Sequence, residues 1–221
     1  MRTLLAALAV LLPARARRVL YVRLLGHEID PAATVGHSFV DVEHLRMGPS
    51  AVIGHLCVIR GAQDVELGTE ALVGNLNFVN AVGRTKAHFA HLDRHPALIM
   101  GDCSRISTMH FVDCSDRVEL GEHSGIGGVW TMVLTHTYAF DTATQVSAPV
   151  TIGARSVVST RCTLLPGAAL AERSILAASS LLAKPVEEIE KLYAGTPAKP
   201  VRDLDADSPY FRRTSSRLHQ G

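Results

Sequence analysis

Eleven histidines are the natural candidates for proton chemistry in this chain, because imidazole is the side chain that titrates near neutral pH. His136, in Leu134-Thr135-His136-Thr137-Tyr138, leads them. It stands where a regular sequence pattern breaks, so its ring is expected in a groove and not in a packed wall. A neutral imidazole so placed removes the proton of a hydroxyl nucleophile as a general base. His110 is the second candidate, four residues after Ile106 as His136 is four after Met132. It reads equally as a residue that assists the base or binds an acceptor and as a structural histidine. A base also needs an orienting carboxylate. Counting along the repeat places Asp116 beneath His136, with Asp113 as the rival and Asp141 on the same loop as the histidine.

Two other histidine groups compete for attention. His88, His91 and His95 are spaced three then four, which on a helix is metal-ligand spacing. Against it, Pro96 follows at once, and the Lys86 and Arg94 charges make a poor metal cage. His37 and His55 lie eighteen apart, each two residues after an aliphatic, and read as an external stack. Cys57, Cys103, Cys114 and Cys162 contain no CxxC pair and read as reduced thiols. No metal is expected.

The elements that position these residues follow from a six-residue period. Ile152, Val158, Leu164, Leu170, Leu176 and Leu182 are each six apart, and a small residue follows all but Leu164. Upstream, Val35-Gly36, Met47-Gly48 and Ile53-Gly54 share one frame, and Leu67-Gly68 and Val73-Gly74 a second, shifted by two. Apolar residues six apart do not fall on one face of a helix. They do fit short strands separated by tight corners, three to a coil, stacked around an aliphatic core. Aromatic residues are only 5% of a chain that is 47% hydrophobic, which suits such a core. The formal charge of +1 argues against a nucleic-acid binder.

The period fails over 84–98 and 137–149, which read as polar excursions. Residues 1–28 form a helical segment, 29–184 the repeat domain, and 185–221 a closing segment. In that last part Pro185 to Leu192 reads as a short helix, and the chain from Ser208 as a solvated tail. The apolar run Thr3 to Leu12 is far short of the roughly 20 residues of a spanning helix. It reads as a signal-peptide core, as a cap on one end of the protein, or as a helix lying on the inner membrane face with Arg15, Arg17, Arg18 and Arg23 beside it.

Residues 152–167, from Ile152-Gly153-Ala154-Arg155-Ser156 to Leu164-Leu165-Pro166-Gly167, resemble the last coils of hexapeptide-repeat sugar O-acetyltransferases. So does the closing Tyr193-Ala194-Gly195-Thr196-Pro197-Ala198-Lys199-Pro200. The stretch Ile106 to His136 is similar to acyltransferases of capsule, exopolysaccharide and lipopolysaccharide clusters. The specific likeness covers 100–204, with Ser or Ala where the family has glycine at 159, 171, 177 and 179. The resemblance implies an all-β, left-handed parallel β-helix, since the period alone does not set the hand. It implies an O-acyltransferase moving an acyl group, acetyl by preference, from acyl-coenzyme A to a hydroxyl of a sugar or glycan precursor, with His136 at the family's catalytic position. Thr160 and Ala178 take the positions that meet the pantetheine arm, and Lys184, Lys199 and Arg202 those that meet phosphates. It further implies a cytoplasmic homotrimer with sites between subunits, membrane contact through the N-terminal helix staying open. The alternatives are a zinc enzyme of the hexapeptide-repeat carbonic anhydrase type and a non-catalytic β-helix scaffold.

Overall fold

The six-residue spacing is realised as a left-handed parallel β-helix. The structure is a computed structural model that describes residues 1–83 and 87–216. Seven coils run from Glu28–Ile29 to Leu181–Leu182, each strand pairing in parallel with its counterparts one coil away. The first face begins with Glu28–Ile29, the second with Thr34–Val35 and the third with Phe39–Asp41. The inward residues are the ones the period picks out: Ile152, Val158, Leu164, Leu170, Leu176 and Leu182 are all buried in the core.

Both irregularities of the period have a structural cause. The frame shift of two arises on the first face, whose middle strands turn alternate residues inward: Leu45 and Met47, Val65 and Leu67, Leu98 and Met100, Val118 and Leu120. A strand has a side-chain period of two, so a longer strand moves the frame by two. The second irregularity lies between the second and third faces of the fifth coil. There Val133, not Met132, is the inward residue, and it pairs with Val112. The corner holds an extra residue at Gly127-Gly128. Gly128 has φ 69°, and a Cβ on it would lie 2.5 Å from the Cβ of Thr160, so no side chain fits without moving the coil above.

Both excursions leave the helix at the corner between the third and first faces. The first ends earlier than its sequence suggests, because Ala97 and Leu98 are buried members of the strand Ala97–Met100. The second is an antiparallel hairpin, His136–Ala139 against Thr144–Ser147. Between them, residues 114–117 turn the same corner tightly.

The two ends of the β-helix are closed differently. At the start, helices Arg2–Leu11 and Ala14–Val19 and the π-helical turn Leu20–Leu24 lie over the first coil. Buried Arg17 fastens them, donating to the carbonyls of Ala9, Leu12 and Val35. His37 and His55 stack at 5.6 Å, the external pair expected from their spacing. At the other end the helix expected over Pro185 to Leu192 is absent. Val186 N–H instead donates to Ala169, and Lys191–Gly195 extends the second face and pairs with Ala198–Asp203. Tyr193, 2% exposed, continues the inward ladder above Leu176, and that burial outweighs local helix propensity. The tail is also more ordered than its composition suggests, as far as Ser216. Helix Pro209–Arg212 places Phe211 in a buried position. Arg155 donates to the carbonyls of Phe211 and Arg213, and Arg213 to that of His123. Arg217 lies outside the described residues.

Candidate active site

The corner between the third and first faces gathers the polar groups that the coil walls exclude. Asp113 ends the strand Phe111–Asp113, and its carboxylate turns inward under the next coil, 2% exposed. Oδ1 accepts from the Ser115 amide at 3.0 Å and the Ser115 hydroxyl at 2.6 Å. Oδ2 accepts from the Thr135 amide and hydroxyl, both at 2.9 Å, and from the His136 amide at 3.2 Å. The same oxygen lies 2.7 Å from Nδ1 of His136. Burial raises the Asp113 pKa, but the hydrogen bonds from His136, Ser115 and Thr135 overcome it and leave the group below its ordinary value. A carboxylate held by so many donors stays ionised.

The ion fixes the histidine. With Nδ1–H donated to Asp113, Nε2 carries the lone pair on a side chain that is 31% exposed. The hydrogen bond to Asp113 raises the His136 pKa above 6.5, opposed by burial and by the charge of Arg94. This is the geometry of an oriented general base. One edge of the ring is covered by Phe89, which meets it edge to face at 5.6 Å. Phe89 is held in turn by the Arg94 guanidinium, 4.2 Å from its ring centre. Arg94 donates to the carbonyls of Val82 and Ser115 at 2.5 Å and of Gly83 at 2.7 Å. The first excursion therefore packs onto the base supplied by the second. Phe89 and Arg94 carry no spacing that sequence reasoning could have used.

Asp116 does not orient His136. Its Oδ1 accepts from the Arg117 amide, and its Oδ2 from the Ser147 hydroxyl at 2.8 Å. It anchors the base of the hairpin through the strand opposite His136. The extra residue at Gly127-Gly128 moves the rung from Met132 to Val133, a count that sets Ser115 level with His136; Asp113 reaches the ring because its carboxylate turns inward where the hairpin leaves the coil. Asp141 is exposed near the hairpin tip.

His110 is brought elsewhere, to the corner between the second and third faces. A buried polar ladder runs along that corner through Ser38, Cys57, Asn77, His110, Thr131, Cys162 and Ser180. His110 N–H donates to Asn77 Oδ1 at 2.9 Å, Nδ1 accepts from the Thr131 amide at 3.1 Å, and Nε2 lies 2.9 Å from the Ser107 hydroxyl. Both ring nitrogens are engaged, and burial lowers the pKa to about 4. This histidine is a structural rung.

Of the proposed metal trio, the His88 side chain lies outside the described residues. His91 Nε2 is 3.0 Å from the Gln145 carbonyl, and His95 Nε2 is 2.6 Å from Asp64. Two of the three thus turn to different partners. The expected donor residues divide between corners. Thr160 and Ala178 occupy the corner between the second and third faces one coil apart, where Ser179 N–H donates to the Thr160 carbonyl. The turn Gly195 to Ala198 continues that line, with Lys199 opposite Ala194. Lys184 follows the end of the third face, and Arg202 lies opposite Leu192 on the extended second face. All three cations are exposed.

No family model matches the chain, and no curated protein matches it. Solved structures do. A maltose O-acetyltransferase from Clostridium difficile superposes with a TM-score of 0.51 at 12% identity, over 63% of this chain and 69% of that one. A variant of AntD, an N-acyltransferase from Bacillus cereus, in complex with dTDP-4-amino-4,6-dideoxyglucose and coenzyme A, gives 0.59 at 11% identity, over 72% and 83%. AntD with dTDP and 3-hydroxybutyryl-CoA gives 0.51 at 10% identity, over 79% and 84%. The likeness establishes the fold. Within this hexapeptide-repeat β-helix, Asp113–His136 is one of the described pairs in which a buried carboxylate holds a partly exposed histidine; Asp64–His95, at 2.6 Å, is another. No helix of the described residues is long and apolar enough to cross a membrane.

Proposed function

We propose that this β-helix is an acyl-coenzyme A-dependent O-acyltransferase that moves an acyl group, acetyl by preference, to a hydroxyl of a sugar or glycan precursor. The carrying observation is the Asp113–His136 pair at the broken corner. Nε2 of His136 accepts the acceptor's hydroxyl proton as its oxygen attacks the thioester carbonyl. The ester forms, the carbon–sulfur bond breaks, and the proton passes from His136 to the departing thiolate. Ionised Asp113 holds the tautomer and offsets the charge that forms on the ring. Of the three structures compared, one is a maltose O-acetyltransferase, one AntD structure holds a dTDP-linked amino sugar with coenzyme A, and the other holds dTDP with 3-hydroxybutyryl-CoA.

The same reading includes a homotrimer with sites between subunits. His136 stands at one edge of the third face and Thr160 and Ala178 at the other, so one chain keeps base and donor positions a face apart. A neighbouring copy packed alongside brings one edge against the other. The third face and its corner are suited to this, exposing Leu76, Phe78, Met109, Trp130 and Met132 together; contiguous apolar surface marks an association site. Thr160, Ala178 and Lys199 are proposed to meet the donor at that edge, with Lys184 and Arg202 as outlying cations. The protein is placed in the cytoplasm, where acyl-coenzyme A is made.

The test is thiol release from acetyl-coenzyme A with a panel of sugars, nucleotide sugars and their amino analogues, alongside calorimetric binding of acetyl-coenzyme A and the mass in solution. Transfer to hydroxyl acceptors by a trimer is expected. Transfer confined to amino acceptors removes the O-acyl assignment, absence of coenzyme A binding favours the scaffold reading, and a monomer removes the shared site.

A further inference from the structure

The cap on the first coil has a face that the rest of the molecule leaves bare. Helix Arg2–Leu11 buries Ala6 and Ala9 and packs Leu5 against the core. Its opposite stripe is Leu4, Ala7, Leu8 and Leu11, with the three leucines 75, 49 and 81% exposed. A helix on a soluble surface places polar residues on that stripe; this one has none. Val19 and Leu24 add further exposed apolar side chains on the following turns.

Charge decides what covers the stripe. The first 27 residues hold five arginines and no Asp or Glu, which leaves 17 basic against 21 acidic residues in the rest of the chain. Arg2, Arg17 and Arg18 are spent inside the cap on backbone carbonyls. Arg15 and Arg23 are exposed on the two turns that follow the leucine helix. Asp30, Asp41 and Glu43, acidic residues at this end, stand against Arg18, Thr3 and Arg2, which leaves Arg15 and Arg23 as exposed cations that a second copy would set against its own. An anionic lipid surface would instead accept the leucines among its acyl chains and the arginines at its headgroups, as interfacial helices do.

We infer that this end of the β-helix is a peripheral docking surface for an anionic membrane, with Leu4, Leu8 and Leu11 inserted and Arg15 and Arg23 at the headgroup level. The inference is independent of the acyl-transfer reading, since none of these residues lies near Asp113 or His136 in the fold. A helix this short lies in the interface and does not span it.

Flotation of the full chain with vesicles of phosphatidylcholine alone, or mixed with phosphatidylglycerol, tests it. Binding to the mixed vesicles, weaker binding to neutral ones and release by salt are expected. Substituting Leu4→Ser, Leu8→Ser and Leu11→Ser together should abolish flotation. Arg15→Glu with Arg23→Glu should weaken it by about 30-fold or more, from roughly a kilocalorie per mole for each cation. The arginine pair keeps the test intact if the leucine variant folds poorly. Failure to float with anionic vesicles, or flotation unchanged in the arginine variant, overturns the inference. A fall in solution mass on changing the leucines also overturns it, naming a second copy as the occupant.

Discussion

His110 and His136 sit at two corners of neighbouring coils, and one fold treats them in opposite ways. At the regular corner the repeat supplies a donor and a hydroxyl for His110, so both nitrogens are engaged and burial takes the pKa to about 4. At the corner where two excursions leave, Asp113 fixes one nitrogen of His136, and the other stays on the open side. A regular β-helix corner turns a histidine into structure. Where the corner is broken, one ring nitrogen is left open.

Removing the base is the hardest blow to this contrast. His136→Ala should lower acyl transfer by about 10²–10⁴-fold and leave coenzyme A binding close to wild type, read by steady-state kinetics beside calorimetry. Asp113→Asn comes next, at about 10–100-fold, the scale of one charge-assisted hydrogen bond. It also lowers the pKa on which the rate depends. In the wild type the rate should rise with pH through a value above 6.5, because only neutral His136 accepts a proton. Asp116→Asn should leave that profile in place, and a profile that moves with Asp116 instead would reverse the assignment.

His110→Gln should cost about 1–3 kcal/mol of stability through broken buried hydrogen bonds, read by urea unfolding, while turnover per folded molecule persists. The two histidines also differ in acid. The lowered pKa of His110 means its contribution is intact above about 6.5 and fades as pH falls from there toward about 4. The raised pKa of His136 means its pair with Asp113 contributes fully below the unfolded value and weakens as pH rises through the folded one. Comparing urea midpoints of wild type and His110→Gln between about pH 7 and about pH 4 isolates the first effect. A gap that widens on acidification contradicts it. The smallest expected change is Phe89→Leu, a few-fold in turnover, from loss of one edge-to-face aromatic contact.

The coils were legible because inward positions must be aliphatic at every rung, as Ile152 to Leu182 show. The open corner at His136 was legible because a break in that pattern is itself a signal. The histidine's partner was misplaced because Asp113 reaches from the end of its strand to a ring that has already left the coil, which counting rungs does not follow. A better signal was present. Phe39-Val40-Asp41, Phe78-Val79-Asn80 and Phe111-Val112-Asp113 repeat one triplet, and each ends a strand of the third face. Aligning those triplets puts Asp113, not Asp116, at the corner from which His136 departs. The closing strands were illegible because Pro185 to Leu192 has acidic and apolar residues in helical order, and only the exposed edge above Ile175–Leu176 makes a strand the better use of them.

Because each coil strand pairs with the coil before and the coil after, the strand pairings of the β-helix join only consecutive turns of the chain. Such an array can be laid down in the order in which it is synthesised. The capped first coil emerges before the rest and offers an edge on which the second can form. Asp113 and His136 belong to consecutive turns of the chain, so the base is assembled before Thr160 and Ala178 exist. At about 5–20 residues per second, that interval is on the order of seconds. A nascent chain halted after the fifth coil would already hold the Asp113–His136 pair, with the corner of Thr160 and Ala178 still to be made.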